Sequence, residues 1–217
     1  MKYYAIIITF AFCCFLSLSL AEEVEEVTSR LQEKYNTLES FSATFTQTLI
    51  NKALNQIREE GGVLYMKRDG MMRWEYQYPE EKLFISDGIT VYWYLPEEKM
   101  VQTMKLAEME GEQTPVLFLA GKGNLKRDFI VEPLPPGSTA PEGSYQLVLT
   151  PRRGRESYQK LILEVDIQSY QVRKMVLLDL IGNISEYSFS NIKENLKLPK
   201  SFFQFKVPKG VEVSPIR

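Results

Sequence analysis

Between Gly61 and Val101 the chain reads GGVLYMKRDGMMRWEYQYPEEKLFISDGITVYWYLPEEKMV. Asp69-Gly70 and Asp87-Gly88 are two-residue turn signals, each flanked by strand-type sequence, so this stretch predicts a meander of hairpins. Between the turns, Met72, Trp74, Tyr76 and Tyr78 alternate with Met71, Arg73, Glu75 and Gln77. That alternation gives one large apolar face and one mostly polar face. In Val91-Tyr92-Trp93-Tyr94-Leu95, however, both faces are bulky and apolar. An antiparallel sheet with water on one side has no need of this. Either the strand is covered on both sides, or the sheet encloses an apolar space and the fold is a container.

The rest of the chain extends the same sheet. Val24, Val27, Leu31, Tyr35 and Leu38 fall on one face of a helix predicted from Glu22 to Leu38. Phe41, Ala43 and Phe45 then alternate with Ser42, Thr44 and Thr46, which marks a switch to strand. Strands are predicted at 56–67, 71–78, 82–87, 90–95 and 99–104, and again at 145–150, 159–167, 171–179, 184–191 and 201–207. Pro115 before Val116-Leu117-Phe118-Leu119-Ala120 and Gly121 suits one or two turns of buried helix. Residues 132–144 read as a surface loop. The class is mainly β: a long antiparallel sheet with two or three short helices and no βαβ alternation.

A sheet this long curls. Helices lying inside the curl would cover the apolar faces without any ligand, and for any single aromatic residue that core role is the simpler one. The choice of residues points further. Twelve Tyr, twelve Phe, two Trp and eight Met suit a deformable apolar lining better than a tightly specified core.

The N-terminus and composition set the compartment and exclude chemistry. MKYYAIIITFAFCCFLSLSLA has one positive charge, an apolar run and small residues at Ser19 and Ala21, as in a signal peptide cleaved after Ala21. The run is short for a spanning helix. Cys13 and Cys14 lie inside it, not at the cleavage point where lipidation needs one. The expectation is a cleaved segment at 1–21 and one exported, unlipidated domain at 22–217. Loss of Lys2 takes the 26 basic residues to 25 against 28 acidic ones, a net charge of −3, which does not favour nucleic acid. The chain has no histidine, and both cysteines leave with the signal peptide. No thiol nucleophile, His base or Cys/His metal ligand remains, and no G-x-S-x-G is present. These absences remove most hydrolytic and zinc-dependent chemistries, and no catalytic residue, metal site or cofactor is assigned.

Other polar features read as surface. The pairs Glu59-Glu60, Glu80-Glu81 and Glu97-Glu98 are taken as solvated. Arg152-Arg153-Gly154-Arg155 is either a solvated turn or a docking patch for head groups or an acidic partner. Gly121-Lys122-Gly123-Asn124 lacks the pattern of a phosphate loop and reads as a helix stop.

Several motifs in order carry a family resemblance. They are Ser40-Phe41-Ser42-Ala43-Thr44-Phe45-Thr46-Gln47, Gly62-Val63-Leu64-Tyr65-Met66-Lys67-Arg68, Arg73-Trp74, and Ser86-Asp87-Gly88 with Val91-Tyr92-Trp93-Tyr94. Gln113-Thr114-Pro115, Leu147-Val148-Leu149-Thr150-Pro151 and Phe205-Lys206-Val207-Pro208-Lys209-Gly210-Val211 follow. Together they resemble the LolA family of periplasmic lipoprotein carriers over nearly the whole exported length.

The resemblance implies an incomplete antiparallel β-barrel of about eleven strands under a lid of two or three short helices. It implies a monomeric periplasmic chaperone without enzymatic activity. Such a chaperone takes lipoproteins from an inner-membrane ABC transporter, shields their acyl chains, and delivers them to an outer-membrane receptor. A non-enzymatic lipid-binding receptor or sensor of the same fold is the alternative. In the family an Arg at the position of Arg68 bonds lid carbonyls and holds the empty form closed; a surface pairing with a carboxylate such as Asp69 is the ordinary alternative. Met72 stands where the family has an aromatic, and Asp69 where it has Pro. Met72, Trp74, Tyr76 and Trp93, with Leu31 and Leu117 from the lid, are the expected acyl-chain contacts.

Overall fold

The computed structural model describes residues 22–111, 116–135, 138–153 and 158–216. The expected signal peptide, its cleavage site and the Gln113-Thr114-Pro115 motif lie outside the described residues. The first helix, α1, spans 22–37 and turns Val27, Leu31 and Tyr35 into the interior. Six strands follow: β1 (Ser40–Asn51), β2 (Gln56–Lys67), β3 (Met71–Tyr78), β4 (Lys82–Asp87), β5 (Thr90–Leu95) and β6 (Met100–Lys105). Short helices α2 (Leu106–Gly111), α3 (Val116–Leu119) and α4 (Leu125–Asp128) lead to β7 (Phe129–Pro133) and β8 (Ser144–Pro151). The chain closes with β9 (Lys160–Asp166), β10 (Val172–Leu178), β11 (Ile184–Glu194), a 3-10 turn at Lys200–Phe203 and β12 (Glu212–Pro215).

All strands join one twelve-stranded sheet in the order β12-β6-β5-β4-β3-β2-β1-β11-β10-β9-β8-β7. Every pairing is antiparallel except β12 on β6, which is parallel. The two ends of the order do not pair, so the barrel is incomplete. Its curl is measurable. Strands β3 and β11 have β2 and β1 between them, and in a flat sheet they would stand roughly 14 Å apart. Yet the Trp74 ring lies 5.7 Å from that of Tyr187 and 6.3 Å from that of Phe189. The bend runs through Gly61-Gly62, where the β2–β3 register shifts. A Cβ on Gly62 would collide with the Glu75 carbonyl, so only glycine lets β3 approach this closely.

The double-sided apolar sequence of β5 has two causes. Trp93 turns inward and packs 5.7 Å from Tyr76. Tyr92 and Tyr94 turn outward and are covered by Phe205, at 5.4 and 5.5 Å. This corrects the strand predicted at 201–207. Pro199 precedes a 3-10 turn there, and Phe202, Phe203 and Phe205 serve as an outer cover for β2–β5. The sheet also gains β7, whose last residues Glu132-Pro133 suggest loop in the sequence. The first Asp-Gly turn differs in detail from a two-residue hairpin, whereas the second leaves two residues, Gly88 and Ile89, between β4 and β5. Lys67 pairs with Met71, so the first is the three-residue turn Arg68-Asp69-Gly70, with φ of 64° at Asp69 and 75° at Gly70. In the second, the Asp87 carboxylate accepts from the amides of Ile89 and Thr90 at 2.8 and 2.7 Å.

Candidate functional site

The inner face of the curl surrounds a cavity of about 430 Å³. Alternation within each strand builds its walls: Trp74 and Tyr76 from β3, Phe84 from β4, Trp93 from β5, and Met175 and Leu177 from β10. Met109 of α2 and Val116 of α3 complete the lining from the helical side. Edge-to-face packing orders the aromatic wall, with Phe45 4.9 Å from Trp74 and Phe84 5.5 Å from Trp93. Thus Trp74, Tyr76 and Trp93 meet on one wall. Leu31, Met72 and Leu117 are instead packed between lid and barrel as core residues, away from the cavity lining. Met175, Leu177 and Tyr187 were not anticipated as lining, although Met175-Val176-Leu177-Leu178 is apolar on both faces.

The lining also contains polar groups. Gln47, Glu60, Lys82 and the Tyr76 and Tyr187 hydroxyls share the cavity with the apolar residues. Tyr76 donates to Gln47 Oε1 at 3.0 Å, and Lys82 Nζ lies 2.8 Å from Glu60 Oε1. Glu60 is only 4 % exposed, which corrects its assignment to a solvated acidic pair. Glu59 faces solvent, while Glu60 shares the inward parity of Gly62, Leu64 and Met66. That parity is the signal in the sequence that would have found it. Burial, reinforced by the Glu60 charge and opposed by a bond from Gln47, pushes the Tyr187 hydroxyl up to about 12. Burial, then Tyr187 and Glu60, pushes Tyr76 higher still.

The turn between β2 and β3 grips both main lid helices. Arg68 donates from Nη2 to the Asn36 carbonyl at the end of α1, and Nη1 lies 3.1 Å from Glu39 Oε1. The Gly70 amide donates to the Ala120 carbonyl just past α3 at 3.3 Å. Gly121, at φ 71°, ends α3, with Arg68 Cγ next to the site of its missing Cβ. Arg68 therefore holds a lid carbonyl and a carboxylate together, the carboxylate being Glu39. Elsewhere, the Leu125 amide of α4 donates to Gln32 Oε1 at 2.7 Å, and Lys34 pairs with Glu194 at 2.6 Å. Asn124 proves to be the N-cap of α4 as well as part of a helix stop. Arg152 donates to the Lys126 and Phe129 carbonyls at 3.3 and 3.0 Å, while Gly154 and Arg155 lie outside the described residues.

Among the described residues no group of His, Cys, Asp and Glu could hold a metal ion, and no helix is long and apolar enough to cross a membrane. A family model described as "Outer membrane lipoprotein carrier protein LolA" matches residues 36–206. An outer-membrane lipoprotein carrier protein of Legionella pneumophila (strain Corby) is 34 % identical over 203 residues, covering 91 % of this chain and 95 % of that relative. One from Nitrosospira multiformis is 27 % identical over 205 residues, covering 93 % and 96 %. In fold, the chain is similar to an uncharacterized conserved protein from Thermus thermophilus, with a TM-score of 0.54 at 14 % identity over 90 % of this chain and 99 % of that one.

Proposed function

The chain belongs to the LolA family of outer membrane lipoprotein carrier proteins, and from that membership we propose that it carries lipoproteins through the periplasm as a monomer. It receives them from an inner-membrane ABC transporter, shields their acyl chains in the barrel and gives them to an outer-membrane receptor, without altering a covalent bond. The observation that supports this most directly is an aromatic and Met-lined cavity beneath a helical lid whose two main helices are bonded to the barrel by the Arg68–Gly70 turn.

The energetics favour such a device. Each CH₂ kept from water is worth about 0.8 kcal/mol, so one long acyl chain exposed to the periplasm costs on the order of 10 kcal/mol. A carrier must offset that cost and still release its load. Opening the lid breaks the bonds of Arg68 and Gly70, and this loss is subtracted from net affinity. The acyl chain can then move to a tighter acceptor. We assign Arg68 as the latch and Trp74, Tyr76 and Trp93 as direct chain contacts. Leu31, Met72 and Leu117 meet the chain once the lid lifts.

The test is release from membranes. Energised inner membranes bearing a labelled lipoprotein are incubated with the exported protein, then with outer membranes. The expected result is a soluble complex with lipoprotein of unchanged mass, followed by transfer. Lipoprotein that stays in the inner membrane, or freed fatty acid, overturns the reading.

A further inference from the structure

The polar groups of the cavity are not scattered. Strand register places Gln47 opposite both Tyr187 and Glu60, so β11, β1 and β2 contribute adjacent inward positions. Lys82 on β4 reaches the same level, paired with Glu60 and lying 5.2 Å from the Tyr76 ring centroid. The result is a polar belt across an otherwise apolar wall. Leu49 and Leu177 lie on one side of it, and Phe45 and Trp74 on the other. A store for hydrocarbon alone gains nothing from a buried ion pair, because desolvating two charges is costly. A second observation points the same way. Trp74 is only 3 % exposed and lines the cavity, yet among the described residues its indole N–H has no acceptor. A buried donor left unpaired is unfavourable and rare in native proteins.

We propose that the cavity binds the carbonyl of its ligand as well as the chain. The Lys82 ammonium and the Trp74 indole N–H are the donors, and the acceptor is the ester or amide oxygen that joins an acyl chain to its head group. The polar junction of the ligand is thus drawn inside the barrel. This rests on the reading of the protein as an acyl-chain carrier, and it narrows the substrate class to long chains bearing a carbonyl at one end.

Three probes of one chain length separate these ideas: methyl hexadecanoate, N-methylhexadecanamide and hexadecyl methyl ether. Each is titrated against the exported protein holding a fluorescent apolar dye. The indole resonances of its two tryptophans are followed in parallel and assigned with Trp93→Phe. The ester, the amide or both should displace the dye roughly tenfold more strongly than the ether, as one charge-assisted hydrogen bond would give. Which of them does so identifies the linkage recognised. The Trp74 indole proton should move downfield with the carbonyl probes and stay in place with the ether. In Lys82→Met combined with Glu60→Gln, which leaves no orphaned charge, the preference should fall to the few-fold that the neutral Trp74 donor alone supplies. The wild-type resonance remains decisive if that variant does not fold. Equal displacement by all three probes with an unmoved Trp74 resonance overturns the carbonyl site and leaves the carrier reading intact. Displacement by none of them overturns both.

Discussion

The hydroxyl of Tyr35, on the inner side of α1, accepts the backbone N–H of Val172 at the start of β10 at 3.2 Å, 137 residues away in sequence. The register of β10 on β9 shifts between Val172 and Lys174, and at this irregularity the Val172 amide turns to a side chain of the lid. The Tyr35 ring stacks 4.8 Å from Phe118 of α3. One residue thus joins both lid helices to the strand opposite the Arg68 turn. The lid is held at two sides of the rim, by a half-exposed cation at one and a buried hydroxyl at the other.

If Arg68 is the latch proposed above, Arg68→Leu removes donors that stabilise the closed form alone. Charge-assisted hydrogen bonds contribute about 1.5–3 kcal/mol, but with its side chain 39 % exposed Arg68 should contribute nearer ~1 kcal/mol. The variant should hold lipoprotein as tightly as the wild type or up to roughly fivefold tighter, and pass it on poorly. Lipoprotein kept on the carrier, compared with lipoprotein found in acceptor membranes, measures both effects. Arg68→Lys should fail to rescue transfer, since one ammonium does not reproduce the planar fork. Transfer at the wild-type rate removes the latch.

Tyr35→Phe keeps the ring against Phe118 and orphans a buried amide, a change that costs about 1–3 kcal/mol. The urea midpoint should fall while the slope of the transition stays constant. An unchanged midpoint would mean that water replaces the hydroxyl at Val172.

Photo-crosslinking groups at Trp74, Tyr76 and Trp93 should capture lipoprotein in the loaded carrier, whereas those at Glu75 and Gln77, on the outer face of β3, should not. Leu31 and Leu117 sit in the core of the closed form, so their capture should require opening and rise in Arg68→Leu. Equal yields from Trp74 and Glu75 would sink the inward assignment.

Alkaline pH should unfold the barrel through its buried tyrosines. Tyr187 is raised from 10.0 to about 12, and Tyr35 and Tyr76 are raised as well, chiefly by burial. A raised folded-state value means that the stability is complete below the unfolded value near 10. It is lost as pH climbs toward the folded value, because the unfolded chain gives up the proton first. Each such group lowers stability by up to about 1.4 kcal/mol per pH unit within that window. Tyrosinate absorbance and circular dichroism, followed together, should change in one step. Tyrosinate forming well before the loss of structure would show these hydroxyls to be solvated.

The meander was legible because its cues are local: alternation within β3 and Asp-Gly at the turns act over a few residues. Membership of the cavity wall was legible only for side chains too large for a solvated face, such as Trp74, Tyr76 and Trp93. Glu60 looked like surface because an acidic pair suggests solvent, whereas strand parity and a lysine 22 residues away decide its burial. Phe202-Phe203 suggested strand for a similar reason. Apolar density shows that a segment is covered, and only tertiary packing shows that it is itself the cover. The partner of β12 could not be read at all, since a parallel pairing of four residues with β6 is set by the path of the chain around the barrel.

An open sheet has two outermost strands, and in a protein that ferries greasy cargo each invites self-templated assembly. Here those strands are β7 and β12, and each ends in proline, Pro133 and Pro215. Proline offers no amide hydrogen to a strand arriving from outside. Covering β6 with β12 therefore replaces a six-residue border with one of four residues that closes on proline. Removing Glu212–Pro215 should leave the cavity walls in place and lower the concentration at which the protein stays dispersed. A protein without β12 that assembles more readily would mark this strand as a guard against fibre growth, placed at the border where the barrel fails to close.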